Sequence, residues 1–301
     1  MAIDIKLVKQ LRDMTQAGVS DAMKALNESN GDLDKAVQWL REKGIAKAAK
    51  KAGNVAAEGI ANVIIHDNSA VIYEVNCETD FVASNEQFIS LIDMIGLALI
   101  ESGENDIIKA NQLKLSNGMT IVEACTDLTA KIGEKIALRR YVIVGKDDSQ
   151  IFSSYQHTNK RIAVLLTISK AVDIVVAKDI AMHAAAMAPK YLNQSEVDQE
   201  WLTNETMIIK EQMGADPKFA AMLGDANMSG RINGIISGKI NKLLSEVTLE
   251  AQPFVKDPSK SVKQYINAAG ADVIKYIRYQ VGEGIEKKVV DFAAEVAAQM
   301  K

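Results

Sequence analysis

A mixed α+β chain built of several compact units is predicted by three features of the sequence. At 301 residues the chain exceeds the length at which one hydrophobic core keeps growing, so two or three units are expected. The composition, 48% hydrophobic with only 5% aromatic residues and 12 methionines, suits helix-rich aliphatic packing. Apolar residues recur at helical spacing through much of the chain, yet the stretches 61–75 and 136–168 carry strand patterns that each run into a helix. The expected division is a three-helix head with linker (1–53), two related α+β core subdomains (54–135 and 136–190), an inserted coiled-coil-like helical hairpin (191–250), a return to the second core subdomain (251–287) and a C-terminal helical module (288–301).

In the head, Asp4 is placed to cap a first helix carrying Ile5, Leu7, Val8 and Leu11, broken near Gly18; a second starts at about Ser20 and stops at Asn30-Gly31; Asp32 caps a third with Leu33, Ala36, Val37 and Leu40 on one stripe. Asn30-Gly31-Asp32 followed by Asp34, Ala36 and Leu40 resembles the ubiquitin-associated three-helix fold. A unit of this size has little core, which suits a docking head whose face is its first loop and the start of helix two. Residues 45–53, IAKAAKKAG, read as a basic, solvated linker.

Strand patterns at 62–65 and 71–73 flank the turn residues Asp67-Asn68-Ser69, and a helix over about 85–101 follows, with Ser84 and Gln87 in capping-box spacing and Phe88, Leu91, Ile92, Ile95 and Leu99 on the buried stripe. Strands are read again at 136–144, 151–156 and 162–168, then a helix over about 176–187. Beyond Pro189, Val197, Trp201, Ile208, Ile209 and Met213 mark one helix, Asp216-Pro217 opens a second, and Ile232, Ile236, Ile240, Leu243 and Val247 mark a third. Met213, Met222 and Met228 either seal the hairpin against itself or dock a partner. A loop at 252–255, a helix at 261–269, a strand at 273–281 and a terminal helix from about 288, with Phe292 on its apolar stripe, complete the reading.

One connection stands out. Thr79-Asp80-Phe81-Val82 lies between the strand ending in the seventies and the helix near 85, and it puts a phenylalanine beside a carboxylate where chains usually run over the surface. Either the ring folds inward as a plug or it serves another molecule.

Signals for chemistry are missing. The three histidines share no HxxxH or HExxH spacing, there is no P-loop or GxSxG, and Gly282-Glu283-Gly284 lacks the third glycine of a dinucleotide fingerprint. No cofactor, metal site or catalytic residue is expected. A net charge of -4 gives no overall nucleic-acid footprint, and the two cysteines, Cys77 and Cys125, form no CxxC. With no apolar run approaching the roughly 20 residues that cross a bilayer, a cytoplasmic protein without direct nucleic-acid or membrane binding is expected.

The segments LRDMTQAGVSDAMKAL, NGDLDKAVQWLREKG, AKAAKKAGNVAAEG, EVNCETDFVA, SSYQH, DIAMHAAA, AQPFV, PSKSV and VGEGIEKKVVDFAAEVAAQ together resemble bacterial translation elongation factor Ts. The sequence departs from that family at Val19 and Ser20, where methionines are frequent, and at Ala163, where glycine is common. The resemblance implies a guanine nucleotide exchange factor for elongation factor Tu, with no chemistry of its own, that binds the GDP form, expels Mg2+ and GDP and stays on the nucleotide-free factor until GTP arrives. It implies that Thr79, Asp80, Phe81 and Val82 enter between two helices of the Tu nucleotide-binding domain. Further contacts are implied for Arg12, Gly18, Val19, Ser20, Ile162, Ala163, His183, Phe254, Val255 and Phe292. The helical hairpin is a candidate for homodimer or two-plus-two assembly. Two other classes stay open: a binding module whose head captures a polypeptide, and an enzyme with a dispersed site.

Overall fold

The structure is a computed structural model describing residues 4–15, 17–217, 219 and 228–286. It is mixed α+β. The expected C-terminal helix from 288, with Phe292, and Met222 of the hairpin lie outside the described residues.

The head forms as its caps dictate. Asp4 accepts the Lys6 N–H at 2.8 Å to open α1 (Ile5–Thr15), Gly18 precedes α2 (Val19–Glu28), and Asp32 accepts the Lys35 N–H at 3.1 Å to open α3 (Leu33–Lys51). Val8, Leu11, Ala22, Ala25, Leu26 and Ala36 make its small core. Helix α3 corrects the expected linker. It continues through 45–51, because alanine and lysine are strong helix formers and nothing breaks the ladder at Gly44. That glycine lets α3 approach α7 (Ile121–Ile132) closely: a Cβ there would stand 3.0 Å from the Ala130 Cβ.

The first sheet has the order β1-β2-β3, with β1 (Glu58–His66), β2 (Ser69–Cys77) and β3 (Ala137–Gly145) antiparallel throughout. Asp67-Asn68 makes the β1-β2 turn, Asp67 taking φ 49°. Strand β3, expected to open the second core subdomain at 136, instead pairs with β2, aligning Ile72 with Val142. The physical reason lies in β2, which is buried from Ala70 to Cys77 and so needs a hydrogen-bonded neighbour on each edge.

After the short helix α4 (Asp80–Ala83), α5 (Glu86–Ser102) crosses one face of this sheet with all five expected stripe residues buried. Its cap corrects the expected Ser84/Gln87 box: Asn85 accepts the Gln87 N–H at 2.8 Å. The Tyr73 phenol donates to the Ile92 carbonyl at 3.1 Å, and its ring fills the space where any side chain at Gly96 would fall. Helices α6 (Ile107–Ala110) and α7 were not expected, although Thr120 and Glu123 form a full capping box ahead of the apolar stripe Ile121, Ala124, Cys125 and Leu128.

Two compact units are distinguished: the described parts of 1–145, 156–163 and 279–301, and residues 146–155 with 164–278. A second sheet has the order β4-β5-β8, from β4 (Ile151–Gln156), β5 (Ile162–Ile168) and β8 (Val273–Gln280). The second unit holds α8 (Ile174–Met187), α9 (Gln199–Ala215) and α10 (Ser229–Val247). Met213, Ile232 and Ile236 are buried where α9 meets α10, with Ile209, Phe219, Met228 and Ile240 around them, so these residues seal the hairpin against itself. Val197, expected inside the helix, is buried just ahead of the cap Asp198. The expected loop at 252–255 contains a two-residue strand, β6 (Pro253–Phe254), paired with β7 (Asp257–Ser261); Ser261 then caps α11 (Val262–Ala268) with Gln264. Among the described residues no helix is long and apolar enough to cross a membrane.

Candidate partner-binding corner

The corner is a one-turn helix held by caps on both sides. Thr79 is the cap of α4, its hydroxyl oxygen accepting the Val82 N–H at 3.4 Å while the hydroxyl donates to Glu134 Oε1 at 2.7 Å. On the far side the Ser84 N–H donates to the Asp80 and Phe81 carbonyls, and Asn85 at once begins α5. A single turn sends neighbouring side chains in different directions. Val82 drops into the core with Phe88 and Leu91, whereas Phe81 is 85% exposed and Asp80 is exposed beside it. The plug alternative for Phe81 is therefore excluded: the ring leaves its own molecule.

The fixing residues come from far along the chain. Glu134 Oε2 accepts the N–H groups of Glu78 at 3.2 Å and Thr79 at 2.9 Å. Glu78 Oε1 in return accepts the Lys135 N–H at 2.7 Å, and Asn54 Nδ2 donates to Glu78 at 2.9 Å. The Cys77 thiol donates to the Thr79 carbonyl at 3.1 Å; burial, with the Glu134 carboxylate adding, pushes its pKa up to about 12. Burial does the same to Cys125, so neither thiol is activated. Sequence reading missed Glu134, Glu78, Asn54 and Lys135, since nothing local marks a carboxylate whose donors lie 55 residues upstream.

The other expected contacts separate by burial. Arg12 is exposed and its Nε donates to the Ala17 carbonyl at 3.3 Å, bracing the loop that leads to Gly18, Val19 and Ser20, all exposed. Ile162 is half-buried and Val255 exposed. Ala163, His183 and Phe254 need correction, because their side chains are buried. The Phe254 ring stacks on Tyr265 with centroids 4.1 Å apart, which is why an aromatic in a short strand turns inward.

His183 has a structural post instead. Gln252 Nε2 donates to the Glu246 carbonyl at 2.7 Å, leaving Gln252 Oε1 to receive the His183 Nε2 proton at 2.9 Å; His183 Nδ1 then accepts the Val255 N–H at 3.2 Å. This neutral tautomer holds the backbone of the exposed Val255. Burial depresses the histidine pKa, the Gln252 bond opposing only in part. Because the folded pKa lies below the unfolded one, the unfolded chain takes up the proton first, and stability falls as pH drops below about 6.5. The expected result is a ring that titrates below about 6.5 by NMR, with a lower thermal midpoint for this unit at about pH 5.5 than at about pH 7.5. A midpoint of ring titration above that value would contradict the assigned geometry.

Comparison with known proteins bears on this geometry. A family profile described as Elongation factor TS matches residues 78–283, a span that begins at the corner. Proteins named Elongation factor Ts from Acholeplasma laidlawii and from Lacticaseibacillus casei are 46% and 45% identical to this chain, over 100% and 98% of its length and 99% and 97% of theirs. The chain belongs to the elongation factor Ts family. A third relative of that name, from Pediococcus pentosaceus, is 45% identical over 99% of both chains. The family likeness thus takes in the head, which lies ahead of the matched profile, as well as the corner and its Glu134 support. Among the described residues no group of three or more His, Cys, Asp or Glu side chains is placed to hold a metal ion.

Proposed function

We propose that this protein is a guanine nucleotide exchange factor for elongation factor Tu, acting in translation elongation without chemistry of its own. Family membership supports the role, and the observation that carries the mechanism is the Phe81 ring, 85% exposed on a backbone pinned at both ends. In this reading Thr79, Asp80, Phe81 and Val82 form the insertion: Phe81 enters between two helices of the Tu nucleotide-binding domain, Asp80 orients or pairs at its rim, Val82 roots the turn and Thr79 caps it. Mg2+ and then GDP leave, and the pair persists until GTP binds. Arg12, Gly18, Val19, Ser20, Ile162 and Val255 supply further contacts with the partner. The hairpin α9-α10 serves as an assembly arm, as a homodimer or in a two-plus-two complex.

Magnitudes require such contacts. Burying one phenylalanine contributes about 1.5–3 kcal/mol, roughly one to two decades of affinity. Mg2+ and GDP are held by many charged contacts, so one ring cannot displace them without a broad surface holding it in place. Coupling is reciprocal: if the factor weakens GDP binding, GDP weakens the factor's binding by the same ratio. The test is release of labelled GDP from purified elongation factor Tu. Substoichiometric amounts of this protein are expected to accelerate release with nothing consumed, and an unchanged spontaneous rate would refute the proposal.

A further inference from the structure

We infer that Glu134 is the positioning residue of the exchange corner, a carboxylate clamp that fixes the direction in which Phe81 is presented. The inference rests on the proposed role of the corner and names a part of it that lies outside the exposed motif. Three donors converge on one carboxylate: the Glu78 N–H, the Thr79 N–H and the Thr79 hydroxyl, the last at 2.7 Å. Bonds to an ionised acceptor are the strong ones, and a short O–H···O contact is their signature. Thr79 is also the cap of α4, so Glu134 sets the first peptide of the turn that carries Phe81.

The lock is reciprocal. While Glu134 accepts from 78–79, Glu78 accepts the Lys135 N–H at 2.7 Å, so two loops each give a carboxylate to the other's backbone. Asn54 ties in the segment just after α3, through Nδ2 to Glu78 and through its carbonyl, which takes the Lys135 Nζ at 3.1 Å. Glu134 itself follows Gly133, whose φ of 89° ends α7, so its backbone is set by a helix terminus. On the strand side the Phe81 backbone is thus held chiefly by the Glu134–Glu78 pair, with the Cys77 thiol on the Thr79 carbonyl beside it. A wedge that must part a neighbour's helices works only if its own base does not yield, and this lock is what resists.

The prediction is read in two ways. In the free chain, Glu134→Ala is expected to speed amide hydrogen exchange at Glu78 and Thr79 about tenfold or more, with Glu134→Gln, which keeps one acceptor oxygen, intermediate. In GDP release from elongation factor Tu, Glu134→Ala is expected to lower the maximal rate about tenfold at saturating factor, while combination with Phe81→Ala adds no further slowing, because a clamp for an absent ring has nothing to position. A purely structural residue would give additive losses, and additivity overturns the inference. So does unchanged amide protection, or a full release rate for Glu134→Ala beside a slow Phe81→Ala. If Phe81→Ala itself releases GDP at the full rate, the corner reading fails and takes this inference with it. Should Glu134→Ala not fold, Glu134→Gln carries both measurements.

Discussion

Phe81→Ala is expected to slow GDP release from elongation factor Tu by about tenfold or more while leaving the protein's own thermal midpoint unchanged, a separation that follows from where the ring stands. At 85% exposure the side chain contributes nothing to its own core, whose root at this turn is Val82. Alanine is at least as good a helix former, so α4 and its Thr79 cap persist without the ring. On the proposed function, what is lost is apolar surface that the partner would bury, about 1.5–3 kcal/mol if fully enclosed. If that surface is buried only once the nucleotide pocket has opened, the loss appears in the maximal rate; if it is buried equally before and after, it appears in the half-saturating concentration alone. The wedge mechanism demands the first pattern. Stopped-flow release across a range of factor concentrations distinguishes them, and a variant with a normal maximal rate would take Phe81 out of the mechanism. Val82→Ala is the contrasting case, because it trims the core beneath the corner and should lower the midpoint as well.

Local chemistry was legible in the sequence, and long-range pairing was not. Asp4 and Asp32 could be assigned from residue type and spacing alone, since a cap acts within three residues. The position of Phe81 at a strand-to-helix joint was equally local. By contrast, β3 was expected in the second core subdomain, with β4 and β5, and it pairs with β2; the need for two neighbours becomes visible only once β2 is known to be buried on both faces. Glu134 illustrates the same limit at the site: an ordinary Gly-Glu after a helix becomes a clamp only when the 78–79 backbone folds back onto it. His183 and Phe254 failed differently. Both were named through the family resemblance; His183 shares the buried face of α8 with Ala177, Ile180 and Ala184, a spacing open to view, whereas Phe254 turns inward onto Tyr265, a contact that nothing local marks. The α7 capping box was in plain view and passed over, which is a missed signal of another kind.

Glu74→Gln is expected to lower the thermal midpoint of the first unit by roughly 6–12 °C, the shift for about 3 kcal/mol, because a fully buried carboxylate balances two arginines. Glu74 Oε1 accepts from Arg139 Nη1 at 2.8 Å and from the Gly282 N–H at 2.9 Å, and Oε2 accepts from Arg140 Nε at 2.6 Å. The Arg140 guanidinium stacks 4.1 Å over the Tyr279 ring and reaches Glu283 at 3.1 Å, so one carboxylate joins β2, β3 and the turn at 281–284. Burial alone would raise its pKa, yet the Gly282 N–H and the two arginines outweigh that and hold it below the ordinary carboxylate range. With the folded pKa depressed, this stability is complete above about pH 4.3 and disappears as pH falls through the folded pKa. Acid unfolding of the wild type should therefore be steeper than that of Glu74→Gln below about pH 4. Glutamine keeps the volume and one acceptor but leaves two partly buried cations facing a neutral amide, so the damage is electrostatic rather than a cavity. Equal midpoints for the two proteins at neutral pH would show that the arginines find water instead. Below its own midpoint the variant should release GDP from elongation factor Tu at nearly the wild-type rate. Glu74 secures the strand that leads to the corner, whereas the direction of Phe81 is set after that strand ends, at Thr79.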